Sequence, residues 1–381
     1  MSGRTFSLND GGPWYRALRR GHLIDPRGKV RARWFVAAAW LPIAASQLVR
    51  LALGRELDPM VLDISMHVRL LVALPMLLLA ERMVESGCRS AIRSVHAEQL
   101  VDDAAIDRLV ARAEHLRDAA LPEIIVGIAA VAIGQLTLWG TTGPAGVFHG
   151  ETGGTFGFAR VWYGLVALPL AQFVMLRWLW RWAIWNILLA RLARMPLAIL
   201  ATHPDRAAGL SALARPVSGY SAFAFAVGAV LSGAWGTQIL LGHAGTQTHV
   251  PALLVFLFVI LTIGVGPMLL FCGHLFRVRR RSLAQYGDFA AGYMRGFHAR
   301  WIASERSGER ALGTPDIQSL NDLGGAYGVI QHTRLFAFGM RVVLMVWASA
   351  IVPMLPVFAD LVTVEKVLQK IATTILGGLP L

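Results

Sequence analysis

Charge is scarce in this chain: Asp, Glu, Lys and Arg make up 15% of its 381 residues, where a globular protein carries about 25%. Cysteine is scarcer still, with only Cys88 and Cys272, which excludes a disulfide framework. Met1 to Arg33 lacks the short apolar core and cleavage site of a signal peptide, so the first span is expected to be an uncleaved anchor. Also missing are a metal box, a nucleophile–base pair and a cofactor fingerprint. An enzyme is therefore the least favoured class, and no cofactor or metal is expected. His149, Glu151, His243 and His249 lack the tight spacing of metal ligands and read as loop residues. The glycines of Leu323-Gly324-Gly325-Ala326-Tyr327-Gly328 follow no strand and match no phosphate-binding fingerprint. They read as a flexible joint.

Apolar residues, in contrast, form 55% of the chain and fall in blocks near twenty long. Such blocks match the roughly 30 Å bilayer core. The expected fold is all-α, a polytopic transmembrane bundle of about seven spans with short amphipathic cytoplasmic helices. A basic cytoplasmic segment, 1–33, precedes spans one and two in 34–80. A cytoplasmic helical segment, 81–120, leads to spans three and four in 121–194. Residues 195–219 form a cytoplasmic turn and short helix, and 220–276 hold spans five and six. A second cytoplasmic helical segment, 277–334, is followed by span seven at 335–357 and an amphipathic tail at 358–381. Of the 36 Lys and Arg, 27 fall in 1–33, 81–120, 191–218 and 277–334. The loops GTTGPAGVFHGETGGTFGF and GHAGTQTH contain none. The positive-inside rule then puts the N-terminus in the cytoplasm and the C-terminus in the periplasm, in a bacterial inner membrane. The same alternation argues against nucleic acid as partner and for anionic headgroups on the cytoplasmic side.

Span four departs from a plain span. Arg177, Arg181, Arg191 and Arg194 lie towards its far end among Trp178, Trp180, Trp182 and Trp185. The expectation is an aromatic belt with interface-anchoring arginines. In span five, Ala224, Gly228, Ser232 and Gly236 recur every four residues. Such a stripe lets backbones approach closely, within the protomer or in a homo-oligomer. Within 81–120, Ile106, Leu109, Val110, Ala113 and Leu116 recur at helical spacing after Asp102 and Asp103, the pattern of a surface helix. Thr314-Pro315 reads as N-cap and first position of a helix running towards Gly324-Gly325. Leu71-Val72-Ala73-Leu74-Pro75 is echoed by Leu165-Val166-Ala167-Leu168-Pro169, a coincidence or the trace of a parallel repeat.

Three constellations could carry chemistry. Asp63, His67 and Arg69 stand in the outer half of span two, with Glu81 at its inner end. Ionisable groups in a span are costly and face a cavity or a partner. They offer a proton or ion path, or a packing contact between Asp63 and Arg69 or His67. Gly264-Val265-Gly266-Pro267 should break span six, because Pro267 removes a backbone donor. Broken helices build transporter sites, although many are simple kinks. Thr202-His203-Pro204-Asp205 follows the capping-box pattern, and His203, Asp205 and Arg206 together form a cytoplasmic gate or contact candidate.

HPDRAAGL (203–210), MHVRLLVALPMLLLAE (66–81) and DIQSLNDLGGAYGVIQ (316–331) together resemble a group of multi-pass bacterial inner-membrane proteins with no established activity. The resemblance spans most of the chain. The group more usually carries a second glycine where Ala208 stands. The resemblance implies no catalytic role and singles out His67, Arg69, Glu81, His203, Asp205 and Arg206 as the polar residues to watch. The functional expectation is a channel or transporter for a small ion or solute, proton-linked transport included. Its path would run past Asp63, His67, Arg69 and Glu81 and the break at Gly264, Gly266 and Pro267. The alternative is a non-transporting scaffold, sensor or assembly factor acting through its cytoplasmic helices.

Overall fold

The structure, a computed structural model, describes residues 6–24, 31–139, 157–242, 244–303 and 315–358. The tail from 359, the loop at 140–156 and Thr314 lie outside the described residues. The helices are α1 (Gly12–Arg20), α2 (Ala32–Ala52), α3 (Ile64–Ala97), α4 (Asp103–Asp118) and α5 (Ala120–Trp139). They continue with α6 (Phe158–Leu192), α7 (Val217–Leu240), the long run α8 (Thr246–Ile302), α9 (Pro315–Gln331) and α10 (Met340–Phe358). The protein is an all-α polytopic membrane bundle. Among the described residues six helices are long and apolar enough to cross a bilayer, or seven if α4 and α5, bent by 43°, count as one broken span.

Helix α7 lies at the centre and is apolar all round, as a helix enclosed by others must be. Close backbone approach fixes its neighbours. A Cβ at Gly219 would collide with the backbone of Met83 and Val84 on α3, and one at Gly87 with Pro216. On the opposite face a Cβ at Gly228 would meet the carbonyl of Ala350 on α10. The four-residue stripe is thus used within the protomer, where Ala224 is fully buried and Gly236 faces Val357.

The Leu-Val-Ala-Leu-Pro echo has a structural counterpart. Both copies sit where the helix widens to a π turn, Val68–Ala73 in α3 and Tyr163–Ala167 in α6, just ahead of Pro75 and Pro169. Proline supplies no N–H to the preceding turn, and the wider winding accommodates the gap. The turns are linked, because Arg69 Nη1 donates to Tyr163 Oη at 2.6 Å. Gln135 Nε2 on α5 donates to the Gly164 carbonyl at 2.9 Å.

Two expectations about α9 and α6 are corrected. The helix opening at Pro315 passes straight through Gly324-Gly325 to Gln331, so no joint lies there. Side chains at 324, 325 and 328 meet nothing in any case, and helical hydrogen bonding outweighs glycine's propensity cost of about 1 kcal/mol each. The tryptophans of α6 do not form a headgroup belt. Trp178, Trp182 and Trp185 are buried, with Trp178 stacked 4.0 Å from Phe223 and Trp182 tilted against Tyr220. They share one helix face with Val174, Leu188 and Leu192, at the three- and four-residue spacing of a packed stripe.

Candidate functional site

The polar residues of span two are brought close but do not pair with one another. Asp63 precedes the first turn of α3 and caps it, its Oδ1 accepting from Ser65 N at 2.9 Å and from Thr237 Oγ1 at 2.9 Å. His67 Nδ1 accepts from Trp40 Nε1 at 3.1 Å, and its Nε2 lies 2.8 Å from the Val61 carbonyl. Those two contacts require a proton on Nε2 and none on Nδ1. Arg69 turns instead to Tyr163. The expected Asp63–His67 and Asp63–Arg69 contacts are therefore replaced by bonds to α2, α6 and α7. Asp63 does not share a helical face with His67, because it is an N-cap in extended conformation.

The break in span six is closed in the same manner. The α-helix ends at Val265, and Gly266–Phe271 winds as a 3₁₀ stretch before Cys272 resumes the helix. Pro267 would have bonded the Ile263 carbonyl. Trp182 Nε1 donates there instead, at 3.0 Å. One turn earlier Tyr220 Oη donates to Ile260 O at 2.5 Å. Gly264 is what lets the Tyr220 ring in, since a Cβ there would overlap it. Gly264, Gly266 and Pro267 thus form a helix contact, with the freed carbonyl satisfied by protein.

The densest ionic site is one the sequence did not reveal. Arg177 and Arg181 on α6 are each only 2% exposed, which overturns their reading as interface anchors. Arg177 Nη1 donates to Glu81 Oε1 at 2.5 Å, and its Nε lies 3.5 Å from Glu123 Oε1. Arg181 Nη2 donates to Glu123 Oε1 at 2.7 Å and to the Gly11 carbonyl at 3.0 Å. Its Nη1 reaches the carbonyls of Leu8 and Arg117. Two carboxylates from α3 and α5 thus meet two guanidiniums from one face of α6, and charge balances inside the bundle.

The N-terminal segment covers this cluster. Glu85 Oε2 accepts from the amides of Leu8 and Asn9 at 2.7 and 2.9 Å. Asn9 Nδ2 donates to Glu81 O at 2.7 Å, and Glu123 Oε2 accepts from Trp14 N at 2.8 Å. Arg117 Nη1 donates to Ser7 O at 2.6 Å. Gly12 has φ +87°, and a Cβ there would lie 2.7 Å from both Arg181 Nη2 and Glu123 Oε1. A cleft of about 60 Å³ between Trp14, Glu85 and Arg177 approaches the cluster. Phe6 and Leu8 are buried beside it, although the segment reads from sequence as basic and solvated. A short apolar pair ahead of arginines carries no periodic signal.

The His-Pro-Asp-Arg turn is not a capping box, because no helix follows it directly. Asp205 instead gathers three amides: Oδ1 accepts from Ala207 at 2.8 Å and Gly209 at 3.1 Å, and Oδ2 from Ser211 at 3.1 Å. His203 Nδ1 lies 2.8 Å from Asp205 Oδ1, and its Nε2 lies 3.7 Å from Glu98 Oε2. Burial pushes the Asp205 carboxyl up, but the amides of Ala207 and Gly209, with His203 and Ser211, outweigh it and hold the group below the ordinary carboxylate range. Glu98 moves upward, chiefly through burial and with Asp205 as a like charge. Arg206, Ala208 and Gly209 have φ of +56°, +54° and +87°. The carbonyl of Arg206 accepts from Arg334 N at 2.7 Å, which ties the turn to the segment entering α10. Among the described residues no group of three His, Cys, Asp or Glu is placed to hold a metal ion. His249 stacks on Trp235 at 5.2 Å, while His149 and Glu151 lie outside the described residues.

No family model matches the chain, and no curated protein or solved structure matches it either. What the chain does must therefore be argued from its own geometry.

Proposed function

We propose that this protein is a non-transporting membrane scaffold or assembly factor that works through a helical arm on its arginine-rich side. The observation that carries the reading is the length of α8. Its 57 residues trace roughly 85 Å of helical path at ~1.5 Å per residue, nearly three times the ~30 Å hydrocarbon core. The part beyond Arg281 is a projection, and α9 folds back along it. Tyr293 Oη donates to the Asp316 carbonyl at 2.9 Å, Trp301 Nε1 donates to Asp316 Oδ2 at 2.9 Å, and Arg279 Nη2 donates to Gln331 O at 2.8 Å. Phe289 and Met294 remain exposed on it. Exposed apolar groups of that size on a braced projection suit a protein partner.

The residues proposed for an ion path support the same reading, because each already has an internal partner. Positive-inside charge makes the arm cytoplasmic in a bacterial inner membrane, with anionic headgroups against the basic segments around it. The test is flux in proteoliposomes together with complex formation in cells. Purified protein should pass no ions or protons above empty vesicles, and F289S/M294S should release whatever complex the intact protein forms. Flux that disappears in His67→Gln or Asp63→Asn would replace the scaffold with a transporter.

A further inference from the structure

A groove of about 490 Å³ lies between α4 and the end of α6. Arg108 and Arg112 line one wall, and Arg191 and Arg194 the other, over a floor that includes Ala105, Leu109 and Met195. Arg108 and Arg112 are one helical turn apart and share a face. Arg191 lies in the last turn of α6 and Arg194 just past it, where helix carbonyls leave partial negative charge. All four side chains are exposed. The neighbouring acids are engaged elsewhere: Asp103 and Asp107 face His96, and Asp118 pairs with Arg117. Arg108 Nε makes only a bond within its own helix, to Ala104 O at 3.1 Å. Four guanidiniums therefore surround one space with no carboxylate among the lining residues.

That arrangement has a cost without a ligand, because like charges one turn apart repel. Arginine offers planar paired donors that match phosphate oxygens two at a time. The apolar floor suits a glycerol or acyl segment rather than a bare ion. The positive-inside rule suits it too, since it would have α6 leave the bilayer at this arginine-rich end, with the groove near the headgroups.

We propose that this groove binds a phosphoryl group, supplied by an anionic phospholipid headgroup or by a soluble phosphate ester. Arg191 and Arg194 hold it from the α6 side and Arg108 and Arg112 from α4. The groove would fix the bent α4–α5 hinge against α6 when occupied, and would make assembly sensitive to the lipid around it. The site stands apart from the scaffold reading and does not depend on it.

The test uses the full chain in nanodiscs of phosphatidylcholine with or without cardiolipin, and isothermal titration with pyrophosphate in phosphatidylcholine alone. R108Q/R112Q and R191Q/R194Q are compared with R280Q/R281Q, which removes equal charge from α8. Either groove variant should weaken the anion about thirtyfold, while the α8 variant should change it less than threefold. Arg→Lys at the same positions should recover only part of the loss, because the fork is gone and the charge is kept. Cardiolipin binding that depends on the groove arginines assigns the lipid, and pyrophosphate binding that depends on them assigns a soluble ester. Equal losses in the α8 variant, or no arginine-dependent binding in either arm, would overturn the site. A melting temperature unchanged in the groove variants excludes unfolding as the cause, and should a pair fail to fold, the single variants R108Q and R194Q carry the comparison.

Discussion

Four arginines from Arg177 to Arg194, three on helix α6 and one just past its end, behave in two opposite ways. Arg177 and Arg181 lie inside the bundle, each engaged by a carboxylate or carbonyls from other segments. Arg191 and Arg194, three turns on, stand exposed around a groove without an acid. The same side chain is a structural bolt in one place and an unsatisfied donor in the other. What decides between them is the register of glutamates on α3 and α5. Glu81 and Glu123 reach the first pair, and no acid is among the residues that line the groove around the second.

The contrast predicts unequal costs. Glu123→Ala strands Arg181 and half of Arg177 in a buried site and removes the acceptor for Trp14 N. It should lower stability by about 3–5 kcal/mol, read by denaturant or thermal unfolding in detergent. Arg191→Ala should stay within about 0.5 kcal/mol in the same assay. Equal losses would dissolve the distinction. Gly12→Ala comes next, at about 2 kcal/mol: it imposes a left-handed side chain and pushes apart Arg181 and Glu123. Loosening of residues 6–14, seen as faster amide exchange at Leu8 and Asn9, would accompany it.

Asp205→Ala leaves three amides without an acceptor and should cost about 1–3 kcal/mol. Since the folded carboxyl titrates below its unfolded value, its contribution is complete above the unfolded value near ~4 and fades as pH falls through the folded one. Wild type should lose that stability on acidification below about pH 4, and Asp205→Ala should show a flatter profile there. The smallest effect is a gain. Ala208 holds φ +54°, which glycine adopts without penalty, so Ala208→Gly should raise stability by up to about 1 kcal/mol.

The all-α membrane class was legible because hydropathy in blocks of twenty is a long-range signal that survives local detail. Six of the described helices are long and apolar enough to span, the last of them beginning at Met340 rather than Leu335, and the expected third span is found only within the bent pair α4–α5. The break at Gly264–Pro267 was legible too, since proline chemistry is local. Its meaning was not, because Trp182 and Tyr220 come from helices far off in sequence. The same holds for Glu81 and Glu123: a glutamate at a span's end looks like an interface residue until the arginine facing it is known. Asp205 was visible as a polar residue of note, yet the capping-box pattern predicted the wrong partners, because nothing local shows that the chain turns left-handed at Arg206 and Ala208. Sequence singled out Asp63, His67, Arg69 and Glu81 by their unusual chemistry for their position, and could not name their partners Thr237, Trp40, Tyr163 and Arg177, which are remote along the chain.

The tucked strap of residues 6–11 has a consequence for biogenesis. Phe6 rests 6.3 Å from Trp185, and Leu8 and Gly11 are held by Arg181, so these residues are synthesised some 170 residues before their seat on α6 exists. Docking of the amino end is then a late clasp on an already inserted bundle, and a bulky fusion placed there would hinder closure while leaving insertion intact.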